Sequence, residues 1–220
     1  MAAPVLTGLT KTNLREQALA SLRTAITSGQ ITPGTQMVET ELSEQLQISR
    51  GTLREAMRQL QQEGLLVPGT RGRLYVRHIG PREIGDVFAV RAALESLAAA
   101  SLAGRPDRTA LVAELRALLA RMLEAVDGED LEGRIESDLS FHRALCRLTG
   151  NSTLLHQWET LEGSIRMSIM FAGTERAVGN MDVPKHESIV AAIESGDDEA
   201  AAACVHDHMI WASRNLTTGA

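Results

Sequence analysis

Aromatic side chains are scarce in this sequence, at 3% of 220 residues, with a single tyrosine and two tryptophans. Sheets draw heavily on aromatic and β-branched residues, so this shortage, beside an apolar fraction led by Ala and Leu, argues against a sheet-rich fold and for a mostly helical one. Only two cysteines occur, Cys146 and Cys204. They make neither a disulfide framework nor a CxxC motif and read as small buried residues, with thiol sensing as the lesser alternative. No run approaches the roughly 18 apolar residues of a membrane span, and the opening Met-Ala-Ala-Pro has no signal-peptide character. The expected location is therefore the cytoplasm, with no membrane partner. Basic charge is short overall, the formal net charge being −6, yet it is unevenly placed. Residues 1–80 carry 9 Lys/Arg against 6 Asp/Glu, or +3, and residues 81–220 carry 13 against 22, or −9. A basic N-terminal part joined to an acidic remainder suits a nucleic-acid-binding module fused to one that does not touch nucleic acid.

The stretch around Glu39–Leu66 reads as helix, tight turn, helix. Leu42 and Leu46 share a face of the first helix, Ile48 fills the corner, and Leu53, Ala56, Met57 and Leu60 give the second helix its buried stripe. Ser49 is placed to cap that helix, and Gly64 supplies its left-handed exit. Arg50, Arg54 and Arg58 recur every fourth residue on the outward face, with Ser49, Gly51 and Thr52 small around its N-terminal end. Such a helix can enter a major groove, meet base edges and hold the flanking phosphates, although a solvated basic face would look the same. The residues beyond the helix favour the groove. Val67 to Val76 is turn-rich and then alternates as a short strand, carrying Arg71 and Arg73 at its tip beside Thr70 and Gly72, which is how a winged helix-turn-helix continues.

The run LSEQLQISRGTLREAMRQLQQEGLL, followed by a G-x-R-G wing, resembles the DNA-binding domain of the GntR family of bacterial transcription regulators. The resemblance implies operator contacts from Arg50, Thr52 and Arg54 and a wing tip at Gly69 to Gly72. Gly51 stands where that family usually has threonine or serine, and Thr40 where a basic residue often precedes the motif; both bear on base preference.

Around this motif, residues 1–11 lack periodicity and are expected to be disordered. A first helix is expected from Asn13, which fits a capping box with Glu16, to about Ser28, with Leu14, Ala18, Leu22 and Ile26 inward. A turn at Ile31–Thr35 leads into the motif. These pieces define a DNA-binding domain over 12–77 and a linker over 78–82, with Pro81 opening the next helix. Residues 83–216 then form an all-helical effector, metal-binding and dimerisation domain. Helices are expected at 82–103, 107–126, 129–149, 151–172, 184–195 and 197–214, a six-helix antiparallel bundle with breaks that include Asp127-Gly128 and the stretch Gly173–Asp182.

Within the bundle, Asp138 and His142 lie four apart on one helix face, and His186 and His208 sit on the last two helices. One aspartate and three histidines form an O/N donor set suited to a divalent ion such as Zn, Ni or Mn. Their order, with Arg91-Ala-Ala-Leu-Glu95, Gly150-Asn151, His186-Glu-Ser-Ile-Val-Ala-Ala-Ile193 and Gly196-Asp197, resembles the FCD ligand-binding domain of the FadR subfamily; six helices point to its VanR-type branch. The resemblance implies that Asp138, His142, His186 and His208 hold a metal, zinc first among the choices, and that a small organic acid binds at or beside it. Arg91 is the candidate second clamp on the carboxylate, with a salt bridge to Glu95 as its plainer role. Asn151 and Arg166 are further effector-binding candidates. Cys146 and Cys204 lie four residues from His142 and His208 on the same faces.

The expected function is therefore a homodimeric DNA-binding regulator, a repressor of a short palindromic operator, released by a carboxylic-acid metabolite. Two alternatives remain: a regulator for which the metal itself is the signal, and a metal-dependent hydrolase. The hydrolase lacks an HExxH motif, and Glu187 beside His186 would leave the ligand face of its helix.

Overall fold

The computed structural model describes residues 14–127 and 131–217; the expected disorder over 1–11, the Asn13 cap and the Gly128 break lie outside them. Helix α1 (Leu14–Thr27) buries Ala18, Leu22 and Ile26 at the expected spacing. Leu14, expected inward, is instead 49% exposed, because the first residue of the helix overhangs the core. Helices α2 (Glu39–Gln45) and α3 (Arg50–Gln62) form the helix-turn-helix. Its turn places Gln47 at φ 52°, in the left-handed region. Ser49 then starts α3 as expected, its side chain accepting from Thr52 N at 3.1 Å. Leu53, Ala56, Met57 and Leu60 are all buried on α3, and Leu42, Leu46 and Ile48 pack partly buried against the same core.

Beyond α3 the wing is an antiparallel pair, β1 (Leu66–Pro68) and β2 (Leu74–Val76), in register Leu66↔Val76 through Pro68↔Leu74. Its tip is a tight turn over Thr70–Gly72 with Arg71 at φ 61°. Gly69 is required beside it, since a Cβ there would stand 2.3 Å from the Tyr75 ring. The segment before α2, expected only as a turn, also runs along β2. Met37 N bonds to Leu74 O at 2.8 Å and Val76 N to Thr35 O at 2.9 Å. The free edge of β2 is thereby covered.

The remaining helices are α4 (Pro81–Ala103), α5 (Arg108–Asp127), α6 (Leu131–Leu148), α7 (Ser152–Phe171), α8 (Thr174–Asn180), α9 (Val183–Ser195) and α10 (Asp198–Thr217). Among the described residues this is seven helices, not six, and α8 falls where a connection was expected. Its seven residues offer under two turns of periodicity and include Gly179, so local propensity does not announce it. Tertiary contacts hold it: Ala177 is fully buried, and Asn215 Nδ2 donates to Arg176 O at 2.9 Å. The VanR-type expectation rested on the count of six and loses that support. Helix α4 begins at Pro81, in its first turn, where the sequence places the opening of the next helix, so the connection between the two parts is shorter than the 78–82 expected. α4 packs most extensively on α10, and α6, α7 and α9 also pack against it. Trp158, Phe88 and Phe141 are among the large side chains buried at the centre.

Candidate metal centre and nucleic-acid interface

On the outer face of α3, Arg50, Arg54 and Arg58 are exposed, as are Ser49 and Gly51, while Thr52 is half-buried. Thr70, Arg71 and Gly72 are exposed at the wing tip. Arg54 Nε donates to Glu39 Oε2 at 2.7 Å, and Arg58 Nη1 to Glu55 Oε1 at 2.9 Å. Both pairs are surface ion pairs, weak enough to be exchanged for a phosphate or a base edge. The Glu39 partner is not legible in the spacing of the arginines, because the contact joins two different helices.

The helical part brings Asp138, His142, His186 and His208 together in the interior, each at most 8% exposed. A ring nitrogen from each histidine lies within 4.8 Å of the other two. His142 Nε2 and His186 Nε2 are 3.0 Å apart, and Asp138 Oδ1 stands 3.1 Å from His186 Nε2 and 3.8 Å from His142 Nε2. The outer ring nitrogens are committed elsewhere. His142 Nδ1 is 2.6 Å from Glu95 Oε2, and His186 Nδ1 is 2.8 Å from the Asp182 carbonyl. A carboxylate and a carbonyl can only accept, so both Nδ1 atoms carry a proton, and in the tautomer this favours each Nε2 turns a lone pair inward.

In that tautomer two lone pairs and a carboxylate oxygen face one another across about 3 Å. Neither oxygen of Asp138 has a partner in hydrogen-bond geometry, and His208 Nδ1 has none either. Buried acceptors left in this state are costly, and a cation at their centre would satisfy them together. The residues present fit a divalent metal, and the pairs His142–Glu95 and His186–Asp182 carbonyl are the supports that orient metal-binding imidazoles. Electrostatics agrees. Burial, then the Arg91 charge and His186, push the His142 ring well below its usual range, against the pull of Asp138. Burial and the neighbouring His186, His142 and Arg91 do the same to His208, so both rings are neutral donors at neutral pH. Burial alone would raise the Asp138 carboxyl, but the facing His142 and His186 rings and the Arg91 guanidinium outweigh that and hold it below the usual carboxylate range.

Arg91 and Glu95 complete this interior. Arg91 Nε donates to Glu95 Oε1 at 2.6 Å, so the plain salt-bridge role is present, yet its Nη2 is buried without a partner. Trp158 Nε1 donates to the same Glu95 oxygen at 2.7 Å. The other two effector candidates lie elsewhere. Asn151 is exposed and caps α7, accepting from Leu154 N at 3.0 Å. Arg166 pairs with Glu136 and Glu162 in a cleft facing the N-terminal part. The Cys146 thiol is fully buried and, by burial and the nearby Glu95, pushed far above its usual range; burial and Asp207 also raise Cys204. Reactive thiols need the opposite shift. Beside the cluster lies an open groove of about 490 Å³ with Met122, Val126, Val178, Met181 and Trp211 among its walls and Lys185 at its rim. It contains Ser137 and Asp182, the neighbour of one donor in sequence and the support of another. Among the described residues, no helix is long and apolar enough to cross a membrane.

Comparison with known proteins finds matches over both parts of the chain. The gntR family of bacterial regulatory proteins matches residues 14–76, and the FCD domain matches residues 86–210, more than half of the chain. A protein of Paenarthrobacter nicotinovorans described as a "probable D-xylose utilization operon transcriptional repressor" is 29% identical over 207 residues, covering 91% of this chain and 88% of that protein. A gluconate operon transcriptional repressor of Bacillus licheniformis is 24% identical over 205 residues, covering 91% and 84%. A solved GntR transcriptional regulator of Rhodococcus sp. RHA1 shares the fold, with a TM-score of 0.75 at 21% identity over 95% of this chain and all of that one. With the helix-turn-helix followed by the FCD bundle, the chain belongs to the GntR family of DNA-binding transcription regulators, and the families and relatives it matches are transcription regulators rather than enzymes.

Proposed function

We propose that this regulator is a homodimeric repressor whose affinity for a palindromic operator is set by a small carboxylic acid bound at a divalent metal in the helical domain. The observation that carries the reading is the inward convergence of the His142 and His186 Nε2 atoms, each ring held from its Nδ1 side, on the Asp138 carboxylate, whose oxygens lack a hydrogen-bond partner. Asp138, His142, His186 and His208 hold the ion, with zinc first and nickel or manganese as alternatives for an O/N donor set. When bound, the ion supplies the positive charge these donors lack and can take an oxygen ligand from outside the protein. Arg91, through its unpartnered Nη2, holds the other end of the effector carboxylate. The apolar groove beside the cluster suits an acid with a hydrocarbon or aromatic body better than a polyhydroxylated one. That would set this effector apart from sugar acids, although the relatives are named for the xylose and gluconate operons. Their shared sign of regulation supports repression here.

Arg50, Thr52 and Arg54 read the major groove, Ser49, Gly51 and Arg58 flank them, and Thr70, Arg71 and Gly72 follow the backbone from the wing. One such helix reads only a few base pairs, so a two-fold pair is required. Val90 and Leu97, seven apart on α4 and 50% and 55% exposed, offer an apolar face for the second copy. Arg54→Ala is expected to weaken operator binding by about 1 to 3 kcal/mol, read by titration at fixed salt; unchanged affinity would remove Arg54 from the interface. Operator affinity measured after chelation, after zinc add-back, and after zinc plus an aromatic carboxylate tests the control. A response only to the acid supports control by the metabolite. A response to zinc alone would instead make the metal the signal.

A further inference from the structure

Gly163 sits inside α7, where glycine is a poor helix former, and the reason for its presence lies in the other half of the molecule. A Cβ at this position would fall 1.3 Å from the carbonyl oxygen of Glu63 and 2.3 Å from its carbonyl carbon. Glu63 is the C-cap of α3, the helix whose other end faces DNA. Gly64, the next residue, would itself bring a Cβ within 3.7 Å of Gly163 Cα. The end of the recognition helix thus rests backbone to backbone on the helical domain.

Side chains ring this contact. The Glu63 carboxylate accepts from Arg23 Nη2 at 2.7 Å and from Gln59 Nε2 at 3.2 Å, fixing the cap to α1 and α3. Arg77, at the start of the connection, donates to Ser164 Oγ at 2.7 Å and pairs with Glu83. Thr24 Oγ1 donates to Glu132 Oε2 at 2.7 Å. Behind the contact, Arg166 on α7 pairs with Glu136 on α6, two residues before Asp138.

We infer that Gly163 is a positioning residue for operator recognition: it forms a seat for the C-terminal end of α3, and this seat, rather than the connection over 77–80 alone, fixes the recognition helix relative to the helical domain. Resting on the function proposed for the chain, the seat is also the route by which the state of the buried donor cluster reaches α3, through α6 and the Arg166–Glu136 pair. Seat and coupling separate experimentally.

The test is Gly163→Ala in the full chain. Within an isolated helix this change favours folding, so loss of the seat is not confused with loss of α7. With the seat blocked, tryptic cleavage after Arg77, now protected by its bond to Ser164, is expected to rise about tenfold, because cleavage follows the population of the open form. Arg71 and Arg73 at the exposed wing tip serve as internal references. Small-angle scattering should show a larger radius of gyration, and Ser164→Ala, which adds no atoms, should raise the Arg77 cut by less. Cleavage and dimensions equal to wild type in Gly163→Ala would overturn the seat. The coupling is read from operator affinity with zinc and with chelator. A zinc response kept intact in an unseated Gly163→Ala protein would overturn it. A wild type indifferent to zinc and chelator would count against the metal reading, while the seat still stands or falls on the Arg77 cut.

Discussion

Glu95→Ala is expected to lower the free energy of unfolding by about 3 to 5 kcal/mol, measured by urea denaturation of the metal-free protein. Glu95 is fully buried and accepts from three side chains at once, those of Arg91, His142 and Trp158. Alanine would leave the Arg91 guanidinium, 1% exposed, as a buried charge without a counterion. It would also orphan the Trp158 indole N–H and the His142 Nδ1 proton, each a desolvated donor. Glu95→Gln keeps an acceptor for one or two of these donors but not the charge, so a smaller loss is expected. A loss under about 1 kcal/mol for alanine would mean that Arg91 finds another anion on relaxation. The second consequence concerns the metal. With Glu95 gone, nothing fixes the proton of His142 on Nδ1, and the lone pair on Nε2 is no longer assured.

Purified protein is expected to hold about one equivalent of divalent metal, and the Asp138→Ala/His186→Ala double variant none. Metal bound only by the folded state should stabilise it by about 2.7 kcal/mol at a free concentration a hundredfold above Kd. Zinc added to chelated wild type should accordingly raise its Tm, with no shift in the double variant. The variant removes two of the converging donors while leaving Glu95, Arg91 and Trp158 in place, so its fold should survive. Elemental analysis and calorimetry together decide the matter. Absence of metal and of any zinc-induced shift in reconstituted wild type would reduce the cluster to polar core residues. The search for an effector would then turn to acids held by Arg91 alone.

Much of this was legible in the sequence because it is written locally. The buried stripe of α3, the Ser49 cap and the Asp138/His142 pair are all fixed by spacings of three or four within one helix. What escaped is carried between helices. The α8 helix owes its existence to packing on α7 and α10, and no periodicity over seven residues could report that. Glu95 was visible as a partner of Arg91 at i+4, but its bonds to His142, 47 residues away, and Trp158, 63 away, were not. Asn151 is legible locally as well: an Asn after Gly150 and before a helix is a cap by local chemistry, and the structure gives it that role. Gly163 offered only the weak cue of a glycine inside a helical pattern, whose meaning depends on a carbonyl a hundred residues earlier.

The two imidazoles with assigned outer partners differ in how a lineage can lose them. His142 depends on the side chain of Glu95, so a single codon change at 95 removes its support. His186 leans on the main-chain oxygen of residue 182, which every amino acid supplies. Random variation can therefore unsettle one donor from a distance and can reach the other only by replacing the histidine or reshaping the start of α9. Drift in related chains should accordingly be freer at position 182 than at position 95, and regulators that abandon metal should show the break at 95 before they show it at 182.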